Sequence, residues 1–280
     1  MQDRKIGFIG LGIMGKPMAE NLLKAGYQLH ILSPREATRQ YFAEKGAVLL
    51  SSPEEMARAC KVVITMLPDS PQVREVVLGE QGIVQALKEN DLLIDMSTID
   101  VETTLEIHER FRTCKADSLD APVSGGQQGA VDATLSVMAG GSGEAFSRAL
   151  PLLKVLGKNI VHMGGAGTGQ TAKSCNQVAT ALATQGVIEA FSLAGRSGID
   201  LALLRKALLG GFAQSRALEV AGQRIIDGNF TPGFKMKLYN KDLRIARRSA
   251  ASHSLKLPGT DLVFEEMAAL VNTGNGELDF

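Results

Sequence analysis

A glycine-rich turn near the N-terminus constrains this sequence more than any other feature. Residues 10–15 read Gly-Leu-Gly-Ile-Met-Gly and follow a short apolar run, residues 5–9, that predicts a β-strand. In such a motif the first glycine allows a tight turn, the second lets the backbone approach a pyrophosphate, and the third lets the next helix pack closely on the strand. The helix N-terminus then faces the anion. The motif predicts a dinucleotide-binding unit whose cofactor contacts are Gly10, Leu11, Gly12, Ile13, Met14 and Gly15.

The remainder of the chain divides into an alternating part and a helical part. Strands are predicted, with helical stretches between them, at residues 5–9, 28–32, 62–66, 92–96, 118–121, 135–139 and 160–163. This alternation indicates a doubly wound, mainly parallel sheet of the Rossmann type. After residue 163 no convincing strand follows, and helices are predicted at residues 169–196, 201–209, 215–227, 239–253 and 260–272. We therefore predict an α/β chain with a Rossmann domain over residues 1–163 and an all-helical substrate and oligomerisation domain over residues 164–280.

Composition excludes several classes of function. The 280 residues include 30 Lys plus Arg and 30 Asp plus Glu, so no net charge draws the chain to nucleic acid or to an anionic membrane. Cys60, Cys114 and Cys175 are far apart and form no CxxC pair, which argues against a disulfide framework and predicts a reducing, cytoplasmic setting. The four histidines show no metal-ligand spacing, so no metal site is predicted.

Targeting and membrane segments are not expected either. The apolar stretch at the N-terminus is interrupted by glycines and lacks an A-x-A cleavage pattern, so we do not interpret it as a signal peptide. No other segment approaches the ~18 uninterrupted apolar residues that a membrane-spanning helix needs.

The end of the second predicted strand bears on the choice of cofactor. An NAD site usually carries an acidic residue there for the ribose hydroxyls, whereas this chain has Ser33, Pro34 and Arg35. Arg35, with Arg39 one turn later, can hold a 2′-phosphate, which favours NADPH over NADH and places Ser33 and Arg35 among the cofactor contacts. The alternative is that both arginines are solvated surface residues.

A second glycine-rich segment follows the predicted strand at residues 118–121. Ser124 offers a hydroxyl group, and Gly125 and Gly126 expose backbone amides, at the strand edge where open α/β sheets bind ligands. These three residues suit a small carboxylate. Taken alone, the segment is equally consistent with a structural turn.

Lys173 is the only Asp, Glu, Lys or Arg between residues 159 and 188. With Asn176, Gln177 and Thr180 it forms a polar stripe, at i, i+3, i+4 and i+7, on an otherwise small and apolar helix. Desolvation would lower the pKa of this lysine and make it a proton donor to a carbonyl oxygen during hydride transfer. The alternative is a lysine that extends to solvent at a domain edge.

Five segments together resemble a known family, the β-hydroxyacid dehydrogenases. They are GFIGLGIMGKPMAENLLKAGY, DAPVSGGQQGA, TLSVMAGG, GTGQTAKSCNQ and PGFKMKLYNKDL, in that order along nearly the whole chain. The resemblance implies a Rossmann domain, an all-helical domain and an active site in the cleft between them. It makes Lys173 the catalytic acid/base. The substrate contacts that it implies are Ser124, Gly125, Gly126, Asn176 and Gln177.

The resemblance adds further cofactor contacts, namely Met66, Leu67, Pro68, Thr98 and Lys241. It makes Asp242 the residue that orients Lys241. Without the resemblance, Lys241 and Asp242 read as an exposed helical charge pair.

The activity implied by the resemblance is hydride transfer from NAD(P)H to the aldehyde of a small carboxylate. Residues 210–216 resemble the branch that reduces tartronate semialdehyde to glycerate. Reduction of succinic semialdehyde or glyoxylate, and oxidation of 3-hydroxyisobutyrate, remain alternatives. A regulatory protein that binds the cofactor without turnover is the non-enzymatic alternative, against which the pair of Lys173 and Asn176 argues.

The long helix predicted at residues 169–196 also bears on assembly. It is nearly free of charge and too extended to be covered by the short helices after it, so we expect a homodimer or homotetramer. Relatives commonly continue past Leu278 and Asp279 into a last helix, so a truncated C-terminus is a further expectation.

Overall fold

The computed structural model describes residues 4–280, so residues 1–3, with which the predicted N-terminal domain begins, lie outside the described residues. The chain divides after Lys173 into two compact units. The domain boundary predicted between residues 163 and 164 stays a prediction.

The first unit is built on one mixed sheet. Its strands are β1 Lys5–Ile9, β2 Gln28–Leu32, β3 Val48–Leu49, β4 Val62–Thr65, β5 Leu92–Asp95, β6 Asp117–Asp120, β7 Val123–Ser124, β8 Leu135–Gly140 and β9 Gly157–Gly164. Their order is β3-β2-β1-β4-β5-β6-β8-β7, with β9 paired to β8. All pairs are parallel except β6 with β8 and β7 with β8. The strand order reverses between β1 and β4, and the carboxyl ends of such strands flank the crevice in which α/β sheets bind ligands.

Helices cover both faces of this sheet. They are α1 Gly15–Lys24, α2 Glu36–Ala43, α3 Pro53–Ala59, α4 Ser70–Leu78, α5 Val101–Thr113, α6 Gly126–Val131 and α7 Gly143–Leu156. Successive strand residues point to opposite faces. Phe8 accordingly belongs to an apolar cluster with Met18 of α1, whereas Ile9 belongs to a second cluster with Met56 of α3. The predicted doubly wound fold is confirmed.

The second unit is helical. Helix α8, Thr168–Arg196, begins in the first unit and is followed by α9 Leu201–Leu209, α10 Arg216–Ile226, α11 Met236–Ser252 and α12 Pro258–Asn272. Ala181 of α8 packs in a cluster with Tyr239 and Leu243, and Phe191 of α8 packs in another with Leu218. Helix α8 thus supplies side chains to both cores of this unit.

Helix α8 is also the one helix within residues 4–280 whose length and composition would allow a membrane span, with a mean hydropathy of 1.2 in its most apolar window. It nevertheless carries buried polar side chains, including Gln170, Lys173 and Gln177. Gln170 and Gln177 are hydrogen-bonded, and buried, hydrogen-bonded side chains of this kind are typical of a helix that packs inside a folded protein.

Candidate active site

The predicted dinucleotide turn brings together the loops that follow β1 and β4. Gly10 has φ +102°, and a Cβ atom there would lie 2.2 Å from the Met66 carbonyl oxygen. The Met66 N–H in turn donates to the Ile9 carbonyl at 2.9 Å. A Cβ atom on Gly15 would lie 1.9 Å from the Gly10 carbonyl oxygen, so the turn requires glycine at both positions.

Gly12 differs from these two glycines because its surroundings are open. Nothing lies within 4 Å of the place where its Cβ atom would stand, and α1 begins three residues later without a side-chain cap from Met14. Leu11 is buried in the core, while Ile13 is exposed. An uncapped helix N-terminus beside open space is the arrangement that a pyrophosphate fills, so this turn fits a dinucleotide.

The end of β2 places Ser33 and Arg35 next to this turn in the sheet. Leu32 pairs with Ile9, and the Ser33 hydroxyl accepts a hydrogen bond from the Arg35 N–H at 3.2 Å. The Arg35 side chain is exposed and forms no ion pair with any residue of the described range 4–280. Arg39, in contrast, lies 3.7 Å from Glu36. Of the two arginines, only Arg39 therefore has a carboxylate beside it.

A buried polar network connects the ends of β4 and β5. The Leu67 N–H donates to Ser97 Oγ at 2.8 Å, and the Ser97 N–H donates to Asp95 Oδ1 at 3.2 Å. Thr65 Oγ1 donates to the same Asp95 oxygen at 2.7 Å. Because Thr98 directly follows Ser97, the structure brings two groups of predicted cofactor contacts, residues 66–68 and Thr98, to one sheet edge.

The N-terminus of α8 is fixed to the end of β6 by the carboxylate of Asp120. Its two oxygens accept hydrogen bonds of 2.9 Å from the N–H groups of Gly167 and Gln170. Such N–H groups have no acceptor within their own helix, so a carboxylate from elsewhere caps the helix and interacts favourably with its dipole. Gly169 allows the close approach, since a Cβ atom there would lie 2.5 Å from the Met138 carbonyl oxygen.

This environment raises the pKa of the Asp120 carboxyl group. Burial raises the pKa of its carboxyl group to about 6, with a smaller contribution from the negative charge of Asp95. The hydrogen bonds from Gly167 and Gln170 act in the opposite direction because they stabilise the charged form.

Gln170 is a site residue that sequence reasoning did not single out. Its side chain donates to the Ser97 carbonyl at 2.8 Å and accepts from the Ile99 N–H at 3.2 Å. The available signal was its position three residues before Lys173, on the same face of a helix that enters from a glycine-rich turn.

Lys173 itself is only 7% exposed. The alternative interpretation, a lysine whose charged end extends to solvent, does not agree with this burial.

The predicted carboxylate-binding turn follows β7. Ser124 pairs with Ser136 of β8, and Gly125 and Gly126 have φ values of +134° and +61°. Both glycines are exposed, and nothing lies within 4 Å of a Cβ atom placed on Gly126. The turn therefore presents its backbone to open space, as a carboxylate-binding site requires.

In the second unit, three predicted residues join one network around Asp242. Asn176 Nδ2 donates to Gln177 Oε1 at 2.8 Å, and Gln177 Nε2 donates to Asp242 Oδ2 at 2.6 Å. Lys241 Nζ lies 2.8 Å from the other Asp242 oxygen. These two side chains are only 10% and 2% exposed, so the interpretation of Lys241 and Asp242 as an exposed charge pair is wrong.

Tyr239 also belongs to this network, through a hydrogen bond to the backbone of α8. Its hydroxyl group donates to the Gln177 carbonyl at 2.9 Å. Burial raises the pKa of Tyr239, and the negative charge of Asp242 adds to the rise, so the phenol stays protonated and continues to donate.

Comparison with known proteins identifies the family. Residues 5–165 match the model of the NAD-binding domain of 6-phosphogluconate dehydrogenase, and residues 167–280 match that of the NAD-binding domain of NADP-dependent 3-hydroxyisobutyrate dehydrogenase. The chain is 43% identical over 275 residues to 2-hydroxy-3-oxopropionate reductase of Escherichia coli, which covers 98% of this chain and 94% of the relative. The chain belongs to the β-hydroxyacid dehydrogenase family.

Other members of this family agree with that assignment. Mouse mitochondrial 3-hydroxyisobutyrate dehydrogenase is 37% identical over 98% of this chain and 84% of its own length. The solved structure of Mycobacterium tuberculosis 3-hydroxyisobutyrate dehydrogenase with L-serine has a TM-score of 0.90 and 33% identity, and covers 98% of this chain and 96% of that one. The chain is therefore an NAD(P)-dependent dehydrogenase or reductase that acts on a CH–OH group.

Proposed function

We propose that this chain reduces tartronate semialdehyde to glycerate with NADPH as the hydride donor. The observation that carries the proposal is the position of Lys173, which is the most buried lysine among the described residues. It lies one turn after the segment that hydrogen bonds of Asp120 and Gln170 attach to the strand ends. The identity of 43% to the Escherichia coli 2-hydroxy-3-oxopropionate reductase supports the choice of substrate.

The chemistry assigned to Lys173 is proton donation. When bound, the reduced nicotinamide supplies a hydride to the aldehyde carbon. The Lys173 ammonium group donates a proton to the carbonyl oxygen, so the aldehyde becomes a primary alcohol without a free alkoxide. A lysine suits this role because its ammonium group is a flexible, strongly donating point charge.

The remaining residues bind and orient the substrate and the cofactor. Ser124 Oγ and the N–H groups of Gly125 and Gly126 donate to the substrate carboxylate. Asn176 binds the substrate oxygen next to the reacting carbon, and Gln177 holds the Asn176 amide through their hydrogen bond of 2.8 Å.

The cofactor contacts divide by the part of the dinucleotide that they meet. The turn formed by residues 10–15 cradles the pyrophosphate, and residues 66–68 with Thr98 border the nicotinamide half. Lys241, which Asp242 holds at 2.8 Å, contacts the same half. Arg35 and Ser33 meet the 2′-phosphate, and this contact is the basis of the NADPH preference.

We also infer a homo-oligomer in the cytoplasm. Helix α8 exposes Leu182, Ile188 and Leu193, the last of them to 71%, and a second copy of the chain would cover this apolar surface. Within residues 4–280, none of the three cysteines forms a disulfide bond, as in a reducing compartment.

A second candidate reaction is oxidation of 3-hydroxyisobutyrate. The identities of 37% to the mouse enzyme and 33% to the Mycobacterium tuberculosis enzyme, both 3-hydroxyisobutyrate dehydrogenases, support it. The same residues would serve, with Lys173 accepting the proton of the hydroxyl group.

The experiment that decides between these activities is a substrate panel. The purified chain is assayed with tartronate semialdehyde, succinic semialdehyde and glyoxylate, and with 3-hydroxyisobutyrate in the oxidative direction, each with both nicotinamide cofactors. We expect the highest kcat/KM for tartronate semialdehyde with NADPH. A preference of more than about tenfold, or about 1.4 kcal/mol, for another substrate would overturn the assignment.

A further inference from the structure

The side chain of Gln170 bridges two backbone groups of one segment, residues 97–99. Its Oε1 atom accepts from the Ile99 N–H at 3.2 Å, and its Nε2 atom donates to the Ser97 carbonyl at 2.8 Å. Gln170 is 1% exposed, so water does not compete for these bonds. Because an N–H can only donate and a carbonyl can only accept, the amide has one orientation.

The bridged segment is one of the proposed cofactor contacts. Thr98 lies between the two residues that Gln170 holds. The same segment is linked to residues 66–68, since Ser97 Oγ accepts from the Leu67 N–H at 2.8 Å. The Gln170 amide therefore acts on the part of the sheet edge that borders the nicotinamide half of the cofactor.

The backbone of Gln170 is fixed as well. Its N–H donates to Asp120 Oδ2 at 2.9 Å, and Gly169 beside it approaches the β6 and β8 backbone so closely that a Cβ atom there would lie 2.6 Å from the Asp120 carbonyl oxygen. Lys173 follows three residues later, about 4.5 Å further along the helix axis and on the same face.

We propose that Gln170 is a positioning residue that holds Thr98 and Lys173 in a fixed spatial relation. The inference rests on the proposed function, in which Lys173 donates the proton and Thr98 borders the cofactor. In that reaction the hydride and the proton reach adjacent atoms of one carbonyl group. A displacement of about 1 Å between reacting groups can cost about 100-fold in rate.

The first test replaces the amide by an apolar chain of similar length. Gln170→Met removes both side-chain bonds but keeps the backbone bond to Asp120. We expect kcat to fall at least about tenfold, while KM for the substrate changes less than about threefold, because the carboxylate-binding turn is untouched. A kcat within about twofold of the unsubstituted enzyme would contradict the proposal.

Two control variants separate positioning from a general loss of stability. Gln185→Met removes an exposed hydrogen bond to Glu189 on the same helix. Leu218→Ala opens a cavity in the apolar cluster that α10 forms with α8, which contains none of the proposed contacts, and lowers the melting temperature. Both controls should keep kcat within about twofold. A Leu218→Ala enzyme that loses as much kcat as Gln170→Met would show that reduced stability alone explains the effect.

Gln170→Glu gives a conservative variant whose effect depends on pH. Its introduced carboxyl group can accept from Ile99 N–H and donate to the Ser97 carbonyl only when protonated. Asp95, which is hydrogen-bonded to Ser97, and Asp120 favour protonation, and the Lys173 charge opposes it. As the pH falls from about 8 to about 6, the ratio of the kcat of this variant to that of the unsubstituted enzyme should rise. The corresponding kcat ratio for Gln170→Met should not change with pH. A flat ratio for both variants would contradict the proposal.

Hydrogen exchange measured by mass spectrometry tests whether Gln170 holds the two segments together, and it does not depend on catalytic activity. In the enzyme without cofactor, Gln170→Met should speed amide exchange in peptides that contain residues 97–99 and in those that contain residues 167–170, and Gln185→Met should change neither. Unchanged exchange in both sets of peptides would contradict the proposal that Gln170 positions these segments. If the unsubstituted chain turns over no semialdehyde, the proposed function fails, and the exchange result still decides whether Gln170 holds the two segments.

Discussion

Asp120 Oδ2 accepts a hydrogen bond of 2.9 Å from the Gln170 N–H, although 50 residues separate them in the chain. Asp120 ends a strand of the cofactor-binding sheet, and Gln170 lies in the first turn of the helix that carries Lys173. The proposed proton donor is thus attached to the sheet edge through a buried carboxylate, and the protonation of this carboxylate has a measurable consequence for stability.

The first prediction concerns Asp120 and the pH dependence of stability. The pKa of its carboxyl group is raised in the folded protein from 3.8 to about 6. The folded state therefore binds this proton more tightly than the unfolded chain does. Its contribution to stability is fully present below pH 3.8 and is lost as the pH rises through about 6. Protonation of Asp120 thus contributes at most about 3 kcal/mol to the free energy of unfolding.

Asp120→Asn should remove this pH dependence. Urea unfolding measures the free energy of unfolding of both proteins between about pH 4.5 and about pH 7.5. As the pH falls through this range, the unsubstituted chain should become more stable relative to Asp120→Asn. Glu266→Gln, an exposed substitution on α12, controls for the loss of one negative charge. A difference that does not vary with pH would show that the Asp120 carboxyl group is not perturbed.

The second prediction concerns the cofactor. Arg35→Ala should weaken NADPH binding by about 1.5 to 3 kcal/mol and leave NADH binding nearly unchanged, because a charge-assisted contact to the 2′-phosphate is lost. Fluorescence titration measures both dissociation constants. Arg39→Ala is the matched control, since Arg39 lies near Glu36, and it should have a smaller effect. Equal losses for both cofactors would remove Arg35 from the 2′-phosphate site.

The third prediction contrasts two glycines of the same turn. Gly12→Ala places a methyl group in open space, so the melting temperature should hardly change, while affinity for either cofactor should fall about tenfold or more because the methyl group obstructs the pyrophosphate. Gly10→Ala should destabilise the fold itself, since its Cβ atom would lie 2.2 Å from the Met66 carbonyl oxygen. Thermal shift and cofactor titration measure the two effects. Full cofactor affinity in Gly12→Ala would contradict the pyrophosphate assignment.

Much of the fold could be predicted from the sequence, because hydrophobic periodicity reports burial directly. The strands at residues 5–9 and 28–32 and the helix at residues 201–209 were predicted to the residue, and α8 to within one residue. The strands Val48–Leu49 and Val123–Ser124 were missed, because two residues are too few to show an alternating pattern.

The site was predictable only in part. The glycine turn and Lys173 stand out in the sequence because their residue types are unusual for their surroundings. The Asp120 and Gln170 contacts do not, because they join positions 47 to 73 residues apart, and no local pattern encodes such a pairing. The burial of Lys241 with Asp242 was missed for a similar reason, since its environment comes from the Gln177 side chain 65 residues earlier.

The fourth prediction concerns assembly. The purified chain should be at least a dimer by light scattering at micromolar concentration, with an interface of more than about 2,000 Å² in total. Leu193→Lys, at an exposed position of α8, should weaken this association because it places a charge in the apolar surface. Val48→Lys, at an exposed position of the short strand β3, is the control and should leave the assembly intact. A stable, active monomer would contradict the inferred assembly.

The most direct test of the central claim is the activity of Lys173→Met with tartronate semialdehyde and NADPH, measured together with the dissociation constant for NADPH. We predict that kcat/KM falls by about 100-fold to 10,000-fold, the usual contribution of a general acid, while the dissociation constant changes less than about twofold. A variant that keeps more than about a tenth of kcat/KM, a loss of less than about 1.4 kcal/mol, would contradict proton donation by Lys173.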